Sequence, residues 1–171
     1  MKAQPRTEVP ARIRAATAAD LPAILGIYNY YVAHSTCTYQ TEPDTEQKRA
    51  KWFANRSAGH PVTVAELHGE VVAWAALSSW NPRGGYARTV EASIYVHHDL
   101  LRRGIGSALL ADLIERARAL GHHTILGAVC TSQTGSLALQ ERFGFTQAGC
   151  LREVGFKFGR WLDVAFMELV L

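Results

Sequence analysis

Two arginines followed by two spaced glycines, RRGIGS at 102–107, form the segment of the chain best suited to bind an anion. This segment stands between a β-rich apolar run and an apolar run with helical spacing. The first N–H groups of a helix have no partner within the helix and carry partial positive charge. Gly104 and Gly106 would let phosphate oxygens approach this backbone, and Arg102 and Arg103 add fixed positive charge. The pattern therefore favours binding of a pyrophosphate group.

Two known glycine motifs do not fit this turn. A dinucleotide-binding fingerprint needs a third glycine where Leu109 stands, and the phosphate loop of nucleotide hydrolases needs a Gly-Lys-Ser/Thr sequence that the turn lacks. A plain helix start that happens to contain two glycines is the remaining alternative. It is disfavoured because glycine costs about 1 kcal/mol relative to alanine inside a helix.

The elements that must position this turn alternate between strand and helix patterns. A short first strand precedes a helix with a capping box formed by Thr17 and Asp20, and a second helix runs from Asp44 or Thr45 to Gly59. Six further strands and two helices follow, with segments PVTVAEL, VVAWAALSSW, TVEASIYV, HTILGAVC, SLALQERFGF and a final strand pair around Gly159. The predicted fold is α/β (α+β), a mixed central β-sheet flanked by helices.

Length and composition restrict the class of protein. The chain has 171 residues, 48% hydrophobic and 19% charged, which suits one domain of ordinary soluble composition. Its formal net charge is +3 and its lysines and arginines are scattered, so we expect no nucleic-acid partner. No apolar run is long enough to cross a bilayer, so we expect no membrane partner.

The N-terminus and the cysteines bear on domain limits and location. The first residues lack the apolar core of a secretory signal, and we interpret residues 1–10 as a disordered lead to a single domain over residues 11–171. Cys37, Cys130 and Cys150 are odd in number and widely spaced, which argues against a disulfide framework. Reduced thiols and a cytoplasmic location are the simpler interpretation.

The ordered set of EASIYV, RRGIGS, HTILGAVC and LALQERFGF resembles the GNAT superfamily of N-acetyltransferases over about residues 13–171. Within it, TVEASIYV and VGFKFGRWLDVAFMEL are similar to the branch that acetylates phosphinothricin and methionine sulfoximine. The resemblance implies acetyl-CoA as cosubstrate. It also implies a homodimer with the C-terminal region near the interface.

The resemblance implies a coenzyme site along one strand and the glycine turn. Pantetheine would pair with the main chain of Ile94, Tyr95 and Val96, as an added strand does. The pyrophosphate would rest on Arg102, Arg103, Gly104, Ile105, Gly106 and Ser107. Gln133 stands where the branch usually has an asparagine that contacts the coenzyme.

Acetyl transfer requires a neutral amine held against the thioester and a donor for the oxyanion that develops. The resemblance supports Glu91 as the general base, directly or through a water, and the N–H of Val96 as the oxyanion donor. The structural alternative is that Glu91 only pairs with an arginine such as Arg88. No covalent acetyl-enzyme is needed.

On the acceptor side, the resemblance implies that the substrate contacts Asn81, Pro82, Arg83, Glu91, Ala92 and Ser93. Arg83 and Arg88 could hold a carboxylate or phosphinate, or they could be solvated loop residues. Aromatic residues could wall the pocket, although a core-facing helix stripe explains the first two better: Tyr28, Tyr31, Trp80 and Tyr86.

The chain departs from the superfamily pattern at two further positions. Leu101 stands where the turn normally begins with Arg or Gln, and Gln140 stands where many members have a tyrosine that protonates the thiolate. A thiol pKa of about 8.5 makes the thiolate a tolerable leaving group without an acid. His97-His98 and His122-His123 are adjacent pairs without ligand spacing, so we expect no metal.

The sequence thus predicts an acetyl-CoA-dependent N-acetyltransferase of the α-amine of a small amino acid of the methionine sulfoximine or phosphinothricin type. Acetylation of another small amine or of a protein N-terminus is one alternative. A coenzyme A-binding sensor that has lost catalysis is the other.

Overall fold

The computed structural model describes residues 11–171, and the predicted disordered segment 1–10 lies outside the described residues. Strands and α-helices follow one another as predicted: β1 (Arg12–Ala15), α1 (Leu21–His34), α2 (Glu46–Ala54), β2 (Val62–Leu67), β3 (Glu70–Ser79), β4 (Thr89–Val96), α3 (Ile105–Ala119), β5 (Thr124–Cys130), α4 (Thr134–Arg142), β6 (Thr146–Lys157) and β7 (Arg160–Val170). Among residues 11–171, no helix is both long and apolar enough to cross a membrane.

One seven-stranded sheet, in the order β1-β2-β3-β4-β5-β7-β6, runs through the described residues. Five neighbouring pairs are antiparallel, and β4 and β5 alone are parallel. Parallel neighbours need a crossover connection, which α3 supplies. This mixed sheet with flanking helices confirms the predicted fold class. That residues 11–171 form a single domain stays a prediction, to which one continuous sheet is well suited.

Helices cover both faces of the sheet, and β4 contributes to both cores. Helix α3 packs Leu109 and Leu113 against one face, where they meet Val90 of β4. Helices α1 and α2 cover the other face, where Ile24 packs with Trp74 and, at its margin, Tyr95 of β4. Since side chains alternate along a strand, Glu91, Ser93 and Tyr95 share the face of α1 and α2.

Helix α2 begins as predicted but ends earlier. Thr45 caps it by accepting a hydrogen bond from the N–H of Lys48 at 3.2 Å. The helix ends at Ala54, not at Gly59, because the following residues form a separate turn. In that turn Arg56 Nε donates to the carbonyl of His60 at 2.8 Å, and Ser57 Oγ lies 2.7 Å from His60 Nδ1.

The predicted pairing of Thr17 with Asp20 before α1 is confirmed, and Arg14 completes it. Arg14 donates two hydrogen bonds to the Asp20 carboxylate, at 2.8 and 2.9 Å, and the N–H of Thr17 donates a third at 2.7 Å. Asp20 is 7% exposed. The bonds from Arg14 outweigh the effect of burial and lower the pKa of Asp20 to about 2.

We expect Asp20→Asn to lower the free energy of unfolding by about 1–3 kcal/mol at neutral pH, because Arg14 and Thr17 lose a charged acceptor. The pKa of folded Asp20 lies below the unfolded value of about 3.9. The carboxylate therefore stabilises the fold fully above about pH 4, and this contribution is lost as the pH falls towards 2.

Urea unfolding from neutral to acid pH measures this difference, which should narrow below about pH 4. Asp112→Asn is the matched control, since Asp112 pairs with Arg116 in a more exposed i,i+4 pair and should cost less than about 1 kcal/mol. A stability difference for Asp20→Asn that stays constant down to pH 3 would contradict the assignment.

Candidate active site

Strands β4 and β5 separate beyond Glu91. They pair only where Thr89–Glu91 meets Thr124–Leu126. Strand β3, on the other side of β4, continues to pair as far as Val96. Among residues 11–171, the edge of β4 from Ala92 to Val96 therefore has no strand partner on the β5 side.

The direction of the backbone groups along this edge follows from their neighbours. The N–H of His97 donates to Val72 of β3 at 2.8 Å, whereas the carbonyl of Arg88 accepts from His123, next to β5. Because these directions alternate along a strand, the N–H and C=O groups of Ile94 and Val96 point into the gap. The main chain of Tyr95 points towards β3 instead, so of the three predicted pairing residues only Ile94 and Val96 offer their backbone to a ligand.

The gap opens into a cleft of about 1080 Å³. It contains most of the predicted site residues, namely Glu91, Ala92, Ser93, Ile94, Tyr95, Val96, Arg102, Gly104, Gly106, Ser107 and Gln133. The remaining five do not line it: Ile105 is buried in the α3 core, Arg103 is exposed, and Asn81, Pro82 and Arg83 lie in the β3–β4 loop.

The start of α3 has the geometry that phosphate binding requires. Gly104 has φ +82° and Arg102 has φ +60°, so the turn uses the left-handed region that favours glycine. The first backbone bond into the helix is from the N–H of Ala108 to the carbonyl of Gly104, at 3.0 Å. The N–H groups of Ile105, Gly106 and Ser107 precede that bond and remain available to an anion.

Gly106 lies between α4 and β4, with room for no more than an ordinary van der Waals contact on either side. A side-chain carbon there would lie 3.5 Å from Leu139 of α4 and 3.7 Å from Val96 of β4. The start of α3 is therefore in contact with both walls of the cleft. A pyrophosphate on α3 would be continuous with a ligand paired along β4.

Glu91 is the one predicted carboxylate of the cleft. Burial raises its pKa above the ordinary value. Within the described residues, no ion pair links Glu91 to Arg88 or to another arginine. The alternative that Glu91 only pairs with an arginine is therefore not observed. A carboxylate that is partly desolvated and not neutralised by an arginine is suited to accept a proton.

Several cleft residues were not predicted from the sequence. Cys37, Thr38 and Tyr39 come from the loop between α1 and α2, which has neither a motif nor periodicity. Tyr31, by contrast, is expected from the sequence either as a core residue or as a pocket wall, and it is both: it packs in the α1 core and lines the cleft, where its hydroxyl donates to the carbonyl of Val96. Trp80 and Tyr86 pack edge to face at 4.9 Å but do not line the cleft.

Gln140 occupies a specific socket between α4 and β5. A side-chain carbon at Gly127 would collide with its amide group. Its Oε1 is buried and has no hydrogen-bond partner among the described residues. The residue that replaces the superfamily's tyrosine is therefore held against the sheet and lines the cleft.

Potential metal ligands meet at one place within residues 11–171, beside the cleft. Ligand atoms of His97, His98 and Asp99 lie within 4.8 Å of one another. The two imidazole rings are stacked with centroids 4.4 Å apart and planes 22° apart. Because an imidazole nitrogen binds a metal in the plane of its ring, stacked rings are poorly arranged to share one ion.

Comparison with known proteins agrees with this geometry. The family model described as acetyltransferase (GNAT) family matches residues 25–145. The L-methionine sulfoximine/L-methionine sulfone acetyltransferase of Pseudomonas aeruginosa is 44% identical over 163 residues, which cover 94% of this chain and 95% of that protein.

Two solved structures are similar to this chain over nearly its whole length. A phosphinothricin acetyltransferase from Sinorhizobium meliloti in complex with AcCoA has a TM-score of 0.92 and 36% identity, covering 95% of this chain and 89% of that one. A ribosomal-protein-alanine N-acetyltransferase from Brucella melitensis has a TM-score of 0.91 and 40% identity, covering 94% and 99%. The chain therefore belongs to the acetyltransferase (GNAT) family and is an N-acetyltransferase.

Proposed function

We propose that the protein transfers the acetyl group of acetyl-CoA to the α-amine of a small amino acid of the methionine sulfoximine or phosphinothricin type. The observation that carries the proposal is the position of Glu91, a carboxylate without an ion pair in a cleft next to the unpaired edge of β4. The acceptors named for the Pseudomonas and Sinorhizobium relatives support this substrate class.

The residues of the cleft fit acetyl-CoA, which supplies an activated acetyl thioester. Backbone groups of Ile94 and Val96 would pair with the amides of its pantetheine arm. The N–H groups at the start of α3 would hold its pyrophosphate, with charge from Arg102. Arg103 is exposed beside the same turn and would add positive charge.

In this mechanism Glu91 removes a proton from the acceptor ammonium, directly or through a water, because only the neutral amine can attack a carbonyl. A pKa raised by burial makes Glu91 a stronger base. The N–H of Val96 points into the gap and would donate to the thioester oxygen as negative charge develops on it. As the C–N bond forms and the C–S bond breaks, the acetyl group passes directly to the amine and coenzyme A leaves as its thiolate. The second proton of the amine nitrogen passes to that thiolate through solvent, which gives the neutral amide and the free thiol.

The β3–β4 loop is the proposed site for the acid group of the acceptor. It joins Ser79 to Thr89, and Glu91 lies opposite Ser78 of β3, so the loop begins and ends next to the catalytic carboxylate. Asn81, Pro82 and Arg83 are in this loop with Arg88. Ala92 and Ser93 line the cleft beside Glu91 and would contact the rest of the acceptor.

A protein N-terminus is the second candidate acceptor. The similarity to the Brucella ribosomal-protein-alanine N-acetyltransferase favours it. An N-terminal peptide and a free amino acid both present an α-amine, but only the free amino acid presents an α-carboxylate beside it. Arg83 and Arg88 favour the free amino acid, since they could bind that carboxylate.

We also propose that transfer uses no metal and takes place in the cytoplasm. Glu91, Val96 and the start of α3 supply the base, the oxyanion donor and the phosphate site, so no step requires an ion. All three cysteines are free, as expected of thiols in a reducing compartment.

A homodimer formed through β6 and β7 completes the proposal. Strand β6 is an edge of the sheet, and exposed apolar residues concentrate on this hairpin: Leu151, Val154, Phe156, Phe158 and Trp161. An exposed edge strand with an apolar surface is a hazard for a monomer, and pairing with a second copy would cover it.

We expect Glu91→Gln to reduce kcat/KM about 10²- to 10⁴-fold, with the Kd of coenzyme A unchanged, because only proton removal is lost. In the wild type, activity should fall as the pH drops through the raised pKa of Glu91, since the protonated acid cannot accept a proton. Thiol release from acetyl-CoA across pH measures both effects, and the acidic limb should be absent in the variant.

Glu141→Gln is the matched control, because Glu141 is on α4 and does not line the cleft. The acceptor panel is methionine sulfoximine, methionine sulfone, phosphinothricin and an alanine-initiated peptide. Undiminished turnover in Glu91→Gln would contradict the role of Glu91. Turnover on the peptide alone would shift the acceptor to a protein N-terminus, and coenzyme A binding without any turnover would indicate a sensor.

We expect the wild type to sediment as a dimer and Phe156→Glu with Trp161→Glu to sediment as a monomer, because two charges would enter the apolar contact. The two rings pack against each other at 5.0 Å. Leu120→Glu is the control, since Leu120 is exposed at the end of α3 and should leave the dimer intact. A monomeric wild type, or a dimer that survives the double substitution, would contradict this interface.

A further inference from the structure

The α1–α2 loop, residues 35–45, contributes its first part to the wall of the cleft on the face of the sheet that carries Glu91. Its residues Cys37, Thr38 and Tyr39 line the cleft. Glu91 projects from the face of β4 that α1 and α2 cover, and this loop joins those two helices. An acceptor that reaches Glu91 therefore lies against the α1–α2 loop.

Lys157, at the end of β6, fixes one side of this loop. Its Nζ donates to the carbonyl of Ser35 at 2.7 Å and to that of Thr38 at 2.8 Å. Lys157 is 4% exposed, and burial lowers the pKa of its ammonium. These contacts hold the loop from outside the cleft, since Lys157 does not line it.

Gln133 fixes the loop from inside the cleft. Its Nε2 donates to Thr36 Oγ1 at 2.9 Å and lies 3.3 Å from Ser35 Oγ. Thr36 is 3% exposed, so its hydroxyl depends on protein partners. Ser35 Oγ in turn accepts from the N–H of Cys37 at 3.1 Å, which connects Gln133 to the part of the loop that lines the cleft.

The same side chain lies at the coenzyme side of the cleft. Gln133 lies between β5 and α4. Helix α4 carries Ser136 and Leu139, which line the side of the cleft proposed for the coenzyme. The amide N–H groups of Gln133 donate to the loop, so its carbonyl oxygen Oε1 is the amide atom that remains to contact a ligand. An asparagine would be shorter by one carbon–carbon bond, about 1.5 Å, and could not keep the 2.9 Å contact with Thr36.

We propose that Gln133 is a positioning residue that links the coenzyme side of the cleft to the acceptor side through Ser35 and Thr36. Binding of acetyl-CoA against Gln133 then holds the α1–α2 loop in place for the acceptor, and by linkage a bound acceptor strengthens coenzyme binding. This inference rests on the proposed function, because it assumes that the acceptor binds against the loop.

The kinetic test compares Gln133→Asn, Thr36→Val and the double variant with the wild type. Each single substitution should raise the KM of the amino acid acceptor about tenfold and change kcat less than about twofold, because loop position is lost and the chemistry is kept. The acceptor KM of the double variant should be close to that of the more impaired single variant, since both substitutions break the same contact between Gln133 Nε2 and Thr36 Oγ1. Thr36→Ser, which keeps the hydroxyl, should restore the acceptor KM.

Glu141→Gln is the matched control, because Glu141 is on α4, the helix that Gln133 precedes, and does not line the cleft. It should leave the acceptor KM unchanged. Multiplication of the single effects to about a hundredfold in the double variant would overturn the proposal. So would a Gln133→Asn variant in which only the KM of acetyl-CoA rises.

Amide hydrogen exchange separates failure of this inference from failure of the proposed function. With coenzyme A bound, the amide of Cys37 should exchange faster in Gln133→Asn and Thr36→Val than in the wild type and Glu141→Gln. Exchange at Cys37 that is equal in all four proteins would overturn the link. If the wild type acetylates no amino acid, the proposed function fails, and the exchange measurement still tests the link.

Discussion

The separation of β4 from β5 beyond Glu91 is the constraint on which the rest of the structure depends. Each strand keeps a partner on its other side, since β3 pairs with β4 to Val96 and β5 pairs with β7 over Thr124–Cys130. The sheet therefore stays hydrogen-bonded on both sides of the gap. The gap does leave backbone groups of β4 without a strand partner, which is unfavourable unless a ligand or water binds them. A ligand that presents amide groups in an extended arm satisfies this edge, and α3 begins where such an arm would end.

The three residues that differ from the superfamily pattern, Gln140, Gln133 and Leu101, all line the cleft into which this gap opens. Gln140 cannot act as an acid, but its amide fits against Gly127 and helps to form the wall between α4 and β5. Gln133, longer than asparagine, reaches across to Thr36. Leu101 is half exposed at the turn and lines the cleft, where Arg102 supplies the positive charge. The side chains of Gln140 and Gln133 thus make contacts within the chain, around a proposed coenzyme site that is formed mainly by backbone groups.

The features that the sequence predicted are those with a local physical cause. Element order follows from periodicity, the cap of α2 from Thr45, and the turn before α3 from glycines that the left-handed φ of Gly104 requires. The predicted capping box of Thr17 and Asp20 forms on the short 3-10 helix Ala18–Asp20 that leads into α1. The end of α2 was predicted wrongly because Arg56, besides its local bond to His60, donates to the carbonyl of Leu77 in β3, a contact that no local signal reveals. Cys37–Tyr39 were missed for the same reason: contacts with Lys157 and Gln133, about 100 residues or more away, fix that loop.

The central claim is that the unpaired edge of β4 is the binding edge for the coenzyme. Amide exchange followed by NMR in the presence and absence of saturating coenzyme A tests it most directly. The N–H groups of Ile94 and Val96 should become protected on binding, and those of Ser93 and Tyr95, which face β3, should not change. Unchanged exchange at Ile94 and Val96 with bound coenzyme would contradict the account.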